Sequence, residues 1–389
     1  MAKSNTLLIF ILTIGVFGIL NTEMGVIGIL PAIADHFHVS ISKAGLLVSL
    51  FSLVVAISGP SMPLLFSGIE RKRVMLLTLG VFLMGNIVSI FTSSFTVLLV
   101  ARIIPAFFHP IYCSLAFTAA ADSVSKEKAP KAVSNVFIGV SAGMVVGVPI
   151  VSLLNNTFSF DTAMAFFAIV NALVFIATLL IVPVMPVKEV LTYGEQLSVL
   201  KKLNTWLSIA AVVFLNSAIF GVYSYFAEYL QTVTKMSSNI ISFMLFVFGA
   251  ANIIGNILAG KLLTKNAIVS VTAFPFVLGA IYIILFFNGQ FTMPMAIITF
   301  IWGILAGLGS NINQYWITSA APEAPDFANG LFLSSCNIGT TIGAAAAGLF
   351  ISELGTKYIV LAGLLSLVLA AVFVLLRNCV NNTAQQLSS

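Results

Sequence analysis

Long apolar runs alternate with short polar joints along the whole chain. Runs of about 20 residues or more recur near 7–31, 43–68, 74–92, 95–121, 131–155, 162–186, 206–230, 238–262, 267–287, 292–320, 327–350 and 357–377. Such a run matches an α-helix crossing a hydrocarbon layer ~30 Å thick. Hydrocarbon offers no partner to backbone N–H and C=O groups, so a crossing segment is a helix or part of a closed barrel. Barrel strands alternate over about 10 residues, and these runs do not alternate. The pattern predicts an all-α polytopic membrane protein with twelve spanning helices. Most joints are short and carry Pro, Asn, Ser or charge, as in "GIERKR" (68–73) and "DSVSKEKAPK" (122–131). The longest break, "VKEVLTYGEQLSVLKKLNT" (187–205), divides the spans six and six. The expected organisation is an N-terminal six-helix bundle over 1–187 and a cytoplasmic linker over 188–205. A C-terminal six-helix bundle over 206–378 and a tail over 379–389 complete it.

Composition narrows the class. The 389 residues are 60% hydrophobic and 7% charged, and the mean hydropathy is +1.12. A soluble domain carries about 25% charged residues. With so few charges, the net +5 does not point to nucleic acid, and placement matters more than the sum. With a cytoplasmic N-terminus, thirteen Lys and Arg fall inside, among them Arg71, Lys72, Arg73, Lys126, Lys128, Lys131, Lys201, Lys202 and Arg377. Lys43, Lys235 and Lys357 fall outside. The positive-inside bias puts both termini in the cytoplasm. Cys113, Cys336 and Cys379 lie far apart, with no metal or disulfide spacing. No phosphate-binding G-x4-G-K-[ST] loop or His/Asp/Glu cluster is present. The chain is therefore not expected to be an enzyme or to hold a metal or cofactor.

A weak internal repeat supports two halves. "IGVSAGMVVG" (138–147) and "IGTTIGAAAA" (338–347) share a glycine pattern at an offset of 200. The same offset lays span 1 on span 7 and span 4 on span 10. Six-plus-six repeats are a transporter plan with the site near the membrane midplane.

Ionisable groups inside spans are the strongest functional pointers in such a chain. Glu23 lies seven residues before the outer end of span 1, and Arg102 seven residues after the outer start of span 4. Equal depth permits a pair if the two helices adjoin. A low-dielectric site disfavours the charged form of a carboxylate, which lets it load and unload a proton near neutral pH. The competing reading of Glu23 is a structural ion pair. Arg102 keeps its charge and serves to hold a carboxylate or substrate, or as a static pin. His109 follows on the same helical face, with Ala106 and Cys113, and either relays protons or is a neutral hydrogen-bonded residue. In span 5, Gly139, Gly143 and Gly147 form a stripe ahead of Pro149. Small residues allow close helix contact, and Pro149 removes a backbone donor. The second half supplies polar groups: Tyr223, Asn313, Gln314 and Asn337 are candidates for substrate contact, with Asn21, Glu23 and His109 from the first half. Interhelical hydrogen bonding is the alternative for each.

These residues resemble the drug:proton antiporter branch of the major facilitator superfamily, across essentially the whole chain. "TEMGVIGILPAIADHFHVS" (22–40) is similar to that branch's acidic residue followed by G-x-L-P-x-I-A-x-D, "ARIIPAFFHP" (101–110) to its arginine-led span-4 motif, and "GMVVGVP" (143–149) to its span-5 antiporter motif. The loop after span 2 departs from the family's G-x-L-a-D-r-x-G-r-K. In "PLLFSGIERKR" (63–73) the basic run Arg71, Lys72, Arg73 is kept, but Ser67 stands in the place of the aspartate. "SGP" (58–60) with "IERKR" (69–73) most resembles purine base and nucleoside exporters. The resemblance implies a monomer in a bacterial cytoplasmic membrane, with a central cavity and alternating access. It also implies export of a drug, purine, nucleoside or sugar driven by proton entry, the proton being the only coupling species. A facilitator or proton symporter is the alternative.

Overall fold

Side-chain caps begin two of the spanning helices, and a first-turn proline begins another. In the computed structural model, which describes residues 2–39, 41–185 and 192–388, no strand occurs among the described residues. The chain divides into two compact units, Met1–Tyr193 and Gly194–Ser389. The expected boundary at 187/188 falls in 186–191, outside the described residues.

The first unit holds α1 (Ala2–Gly25), α2 (Leu46–Leu65), α3 (Arg71–Phe91), α4 (Phe95–Asp122), α5 (Lys126–Thr157) and α6 (Phe160–Ile181). Glu70 caps α3 by accepting from the backbone N–H of Lys72 at 2.8 Å and Arg73 at 3.1 Å. Ser159 caps α6 through Thr162 N–H at 3.2 Å. Such caps satisfy donors that have no partner in the first helical turn. Within α5 the backbone opens into a π-turn at Gly143–Gly147, just before Pro149, which has no N–H to give. After α1 the chain turns through Val26–Ile29 into a short helix, Leu30–His36. Val26, Ile29, Ile33 and Ala34 pack there against Leu47, Leu98 and Phe167. These residues thus join one apolar cluster with α2, α4 and α6.

The second unit holds α7 (Leu203–Ser224), a continuous helical run Ser238–Asn288, α10 (Thr292–Thr318), α11 (Pro325–Leu354) and α12 (Ile359–Ser388). The run is broken at Asn266, whose backbone is extended at φ −158° and ψ 91°. Asn266 Oδ1 accepts from Val269 N–H at 3.1 Å and caps a new helix. The limbs before and after it are α8 and α9. The 49 residues of its membrane-grade part would extend about 74 Å as one rod, more than twice a bilayer core. Eleven described helices are long and apolar enough to cross a membrane, and this break makes twelve crossings of them. Gly355, at φ 101°, ends α11 in a conformation that costs glycine little. The helix α12 runs on to Ser388 through the region expected as a tail.

The units repeat one another internally. In the first, α1 packs on α4, α5 and α6; in the second, α7 packs on α10, α11 and α12. The repeat reaches single residues. Gly139 of α5 lies against the Thr13 carbonyl of α1, and Gly339 of α11 against the Val213 carbonyl of α7. Both members of that contact are displaced by 200 positions. Neither glycine position has room for a side chain, so the helices touch backbone to backbone.

Candidate functional site

Helical periodicity places Glu23 and Arg102 at one depth and His109 two turns further along the same face of α4, and the packing of α1 on α4 brings all three together. Glu23 is 9% exposed, Arg102 4% and His109 4%. The Glu23 carboxylate meets His109, with Oε2 3.1 Å from Nε2. Arg102 does not take the carboxylate. Its guanidinium donates to the backbone carbonyls of Thr22 at 2.8 Å and Glu23 at 3.3 Å. The arginine therefore clamps the backbone of α1 and leaves the carboxylate to the imidazole. Cys113 Sγ lies 3.8 Å from His109 Nε2, one turn along the same face of α4. Glu23 Oε2, His109 Nδ1 and Arg102 Nε are buried without a hydrogen-bond partner, so the carboxylate and imidazole are adjacent rather than hydrogen-bonded.

Two amides hold the α1 segment in place, and the sequence reading did not single them out. Asn171 of α6 donates to Thr22 Oγ1 at 2.8 Å and to its own helix at Phe167 O, 2.9 Å. Asn86 of α3 donates to Thr22 Oγ1 at 3.3 Å. Thr22 in turn donates to Gly18 O at 3.0 Å. Helices α1, α3, α4 and α6 are thereby tied at the residue preceding the carboxylate. The available signal was an amide inside an apolar span, the same signal used for the second half of the chain. Phe51 of α2 was also missed. Its ring centroid is 6.0 Å from that of His109 and 5.9 Å from Arg102 Cζ.

Asn21 faces elsewhere. Two residues from Glu23 means roughly the opposite side of a helix, and Asn21 packs on Gly147 at the π-turn. Its amide is fully buried and neither polar atom has a hydrogen-bond partner. The stripe Gly139, Gly143 and Gly147 lies along α1 at Thr13, Leu20 and Asn21, with Pro149 beginning the next helical segment.

The second unit's candidates are dispersed. Gln314 donates to Asn329 Oδ1 at 2.8 Å, joining α10 to α11. Asn313 is fully buried, and neither polar atom of its amide has a hydrogen-bond partner. Asn337 donates to Leu333 O of its own helix at 2.9 Å. Tyr223 stacks on Phe248 at 4.6 Å and stands edge-on to Trp302 at 6.3 Å. Among the described residues no hydrogen bond joins these four to one another. The offset of 200 makes Tyr223 the counterpart of Glu23, and Trp302 that of Arg102. Phe248 of α8 lies 4.9 Å from Trp302, whereas the offset sets Ala251 against Phe51. One framework is ionisable in the first unit and aromatic in the second.

The loop between α2 and α3 is also assigned. Ser67 donates to Leu64 O at 2.8 Å and closes α2. The carboxylate work falls to Glu70, which besides capping α3 accepts from Met185 N–H at 2.9 Å. Burial pushes the Glu70 carboxyl up, but the N–H groups of Met185, Lys72 and Arg73, with the Arg73 charge, hold it below its ordinary value. Arg71 pairs with Asp122 at the end of α4 at 2.8 Å, and Lys72 donates to Leu179 O at 2.9 Å. Arg73 approaches Glu70 at 4.0 Å.

A duplicated helical membrane bundle that shelters a carboxylate, an imidazole and a guanidinium inside its spans has the build of a solute transporter. The sequence profile of the Major Facilitator Superfamily matches residues 12–325, and the chain belongs to that family. It is a multi-pass membrane transporter of small molecules. It is 29% identical over 91% of its length to the MFS-type transporter YtbD of Bacillus subtilis (strain 168), covering 90% of that protein. It is 28% identical over 90% of its length to the inner membrane transport protein YdhP of Escherichia coli K12, covering 91% of that protein. A probable sugar efflux transporter of Pasteurella multocida (strain Pm70) is 27% identical over 92% of this chain and 88% of its own length. Among solved structures, the human organic anion transporter MFSD10 superposes with a TM-score of 0.79 at 15% identity, over 95% of this chain and 99% of that one. The likeness to MFSD10 is one of fold.

Proposed function

We propose that this protein is a proton-coupled exporter of a small, neutral, hydroxyl-rich organic solute. It works in a bacterial cytoplasmic membrane with both termini inside, by alternating access. The observation that carries the reading is the 3.1 Å contact between Glu23 Oε2 and His109 Nε2, with both groups inside spans and buried. With the imidazole neutral, a carboxylate stands beside it at 3.1 Å. A second proton on the imidazole changes the charge of the pair by one without breaking the contact. Arg102 supplies a permanent positive charge close by, so the unloaded cluster is electrically balanced. A balanced cluster offers no excess negative charge to hold a lipophilic cation. It does offer Arg102 Nε and His109 Nδ1 as unspent hydrogen-bonding atoms, which suits a polyol or sugar. The efflux transporter name of the Pasteurella relative supports the same direction and solute class. In this reading the bundles over 1–187 and 206–378 rearrange around a linker over 188–205. One proton moving down 100 mV provides about 2.3 kcal/mol for the exchange.

The test is transport in reconstituted vesicles with an internal pH dye, using a panel of pentoses, hexoses, nucleosides and lipophilic cations. Sugar-evoked proton movement is expected from the wild type and is expected to be absent from Glu23→Gln. Sugar transport without proton movement would leave a facilitator. Proton-linked accumulation inside cells would make the protein a symporter.

A further inference from the structure

Phe51 approaches the proton pair from α2, a helix that contains no ionisable residue over Leu46–Leu65. Its ring is 2% exposed. The Arg102 guanidinium lies over the ring at 5.9 Å, and the His109 imidazole stands nearly perpendicular to it, at 6.0 Å and 81°. The charged and titratable groups around it are Glu23 from α1 and Arg102, His109 and Cys113 from α4. Helices α3 and α6 contribute only the neutral amides that bind Thr22. One benzene ring therefore adjoins a permanent cation and a second group that becomes a cation on taking up a proton. With that proton, one carboxylate faces two cations inside an apolar bundle. An aromatic face attracts a cation within about 6 Å, and more strongly where water is excluded.

We propose that Phe51 is a positioning residue for proton loading, its π face stabilising the imidazolium form of the pair beside the guanidinium. The proposal rests on the proton-coupled reading of Glu23 and His109. In the second unit Phe248 packs against Trp302 and Tyr223, and the position 200 residues after Phe51 is Ala251.

The test needs no substrate. The full-length protein is placed in lipid nanodiscs with isotope-labelled histidine, and the His109 resonance is titrated. The chain has three histidines, so His109→Gln assigns the signal. Phe51 is then replaced by mono- and trifluorophenylalanine, which keep the ring's shape while withdrawing its electrons, and by cyclohexylalanine, which has no π system. The His109 midpoint is expected to move stepwise to lower pH with each withdrawal. The total shift is roughly half a pH unit when the π system is gone. A midpoint unchanged along the fluorinated series would overturn the role of Phe51, and so would one that shifted equally in every variant. If the wild-type signal does not titrate between about pH 5 and 9, the proton reading of the pair fails as well. The two failures are therefore distinct.

Discussion

Replacing Gly139 by alanine tests the backbone seam between α1 and α5, and with it the duplicated design. A Cβ there would lie 3.0 Å from the Thr13 carbonyl carbon and closer still to its oxygen, whereas ordinary contact begins at 3.4 Å. The obstacle is backbone, which has no rotamer with which to yield. The two helices must separate by at least about 0.4 Å on the carbon alone. Overpacking of this kind costs about 1–3 kcal/mol, and alanine returns up to about 1 kcal/mol of helix propensity over glycine. The net expectation is a loss of about 1–2 kcal/mol, or a fall of about 2–8 °C in melting temperature for a unit of this size. Gly339→Ala, 200 positions on, meets Asn216 Cβ at 3.0 Å and the Val213 carbonyl closer still, and is expected to behave alike. Gly80→Ala is the control: the nearest atom to its Cβ is a Phe175 ring carbon at 3.7 Å, so only the propensity gain remains. It should be neutral or slightly stabilising. The assay is thermal unfolding of the purified protein in detergent, followed by tryptophan fluorescence. If Gly139→Ala and Gly80→Ala shift the transition in the same direction, the seam is not backbone-tight and the reasoning fails.

Four further outcomes follow from named contacts. Because the Glu70 carboxyl is held below its ordinary value, its stabilising effect should be complete above the usual carboxylate range and lost as pH falls through the lowered value. The melting-temperature gap between wild type and Glu70→Ala should stay level from about pH 5 to 8 and close in acid, with the neutral-pH gap reflecting about 1 kcal/mol for a lost cap. Thr22→Val leaves the Asn86 and Asn171 amides without their shared acceptor, and chemical denaturation should show a loss of about 1–3 kcal/mol. Arg377 is 4% exposed, donates to Trp316 O and Ser319 Oγ, and stacks on Trp316 at 3.8 Å. Lysine cannot reproduce that planar fork, so Arg377→Lys should lower the melting temperature by several degrees and brighten or red-shift Trp316 emission. Arg102→Lys should likewise retain charge but lose the clamp on Thr22 and Glu23, reducing vesicle transport at least tenfold at unchanged expression.

Much of the architecture was legible in the hydropathy pattern, because a membrane leaves helices as the way to satisfy backbone groups along a run of 20 apolar residues. The break at Asn266 fell within a joint between two expected spans. The glycine repeat at an offset of 200 became a structural fact, since Gly139 and Gly339 meet equivalent carbonyls. Depth put Glu23 and Arg102 level, and helical face put His109 in line with Arg102, since both follow from 1.5 Å and 100° per residue; that α1 and α4 adjoin was not legible. What the sequence could not decide was which atom meets which. Spacing along one helix carries no information about the rotation of its neighbour. Only the packed structure gave the carboxylate to His109 and turned Arg102 onto backbone carbonyls. It also sent Asn21 to Gly147 and engaged Gln314 with Asn329. Polar side chains in a bundle take whichever partner the neighbouring helices present, and that choice is made by tertiary packing.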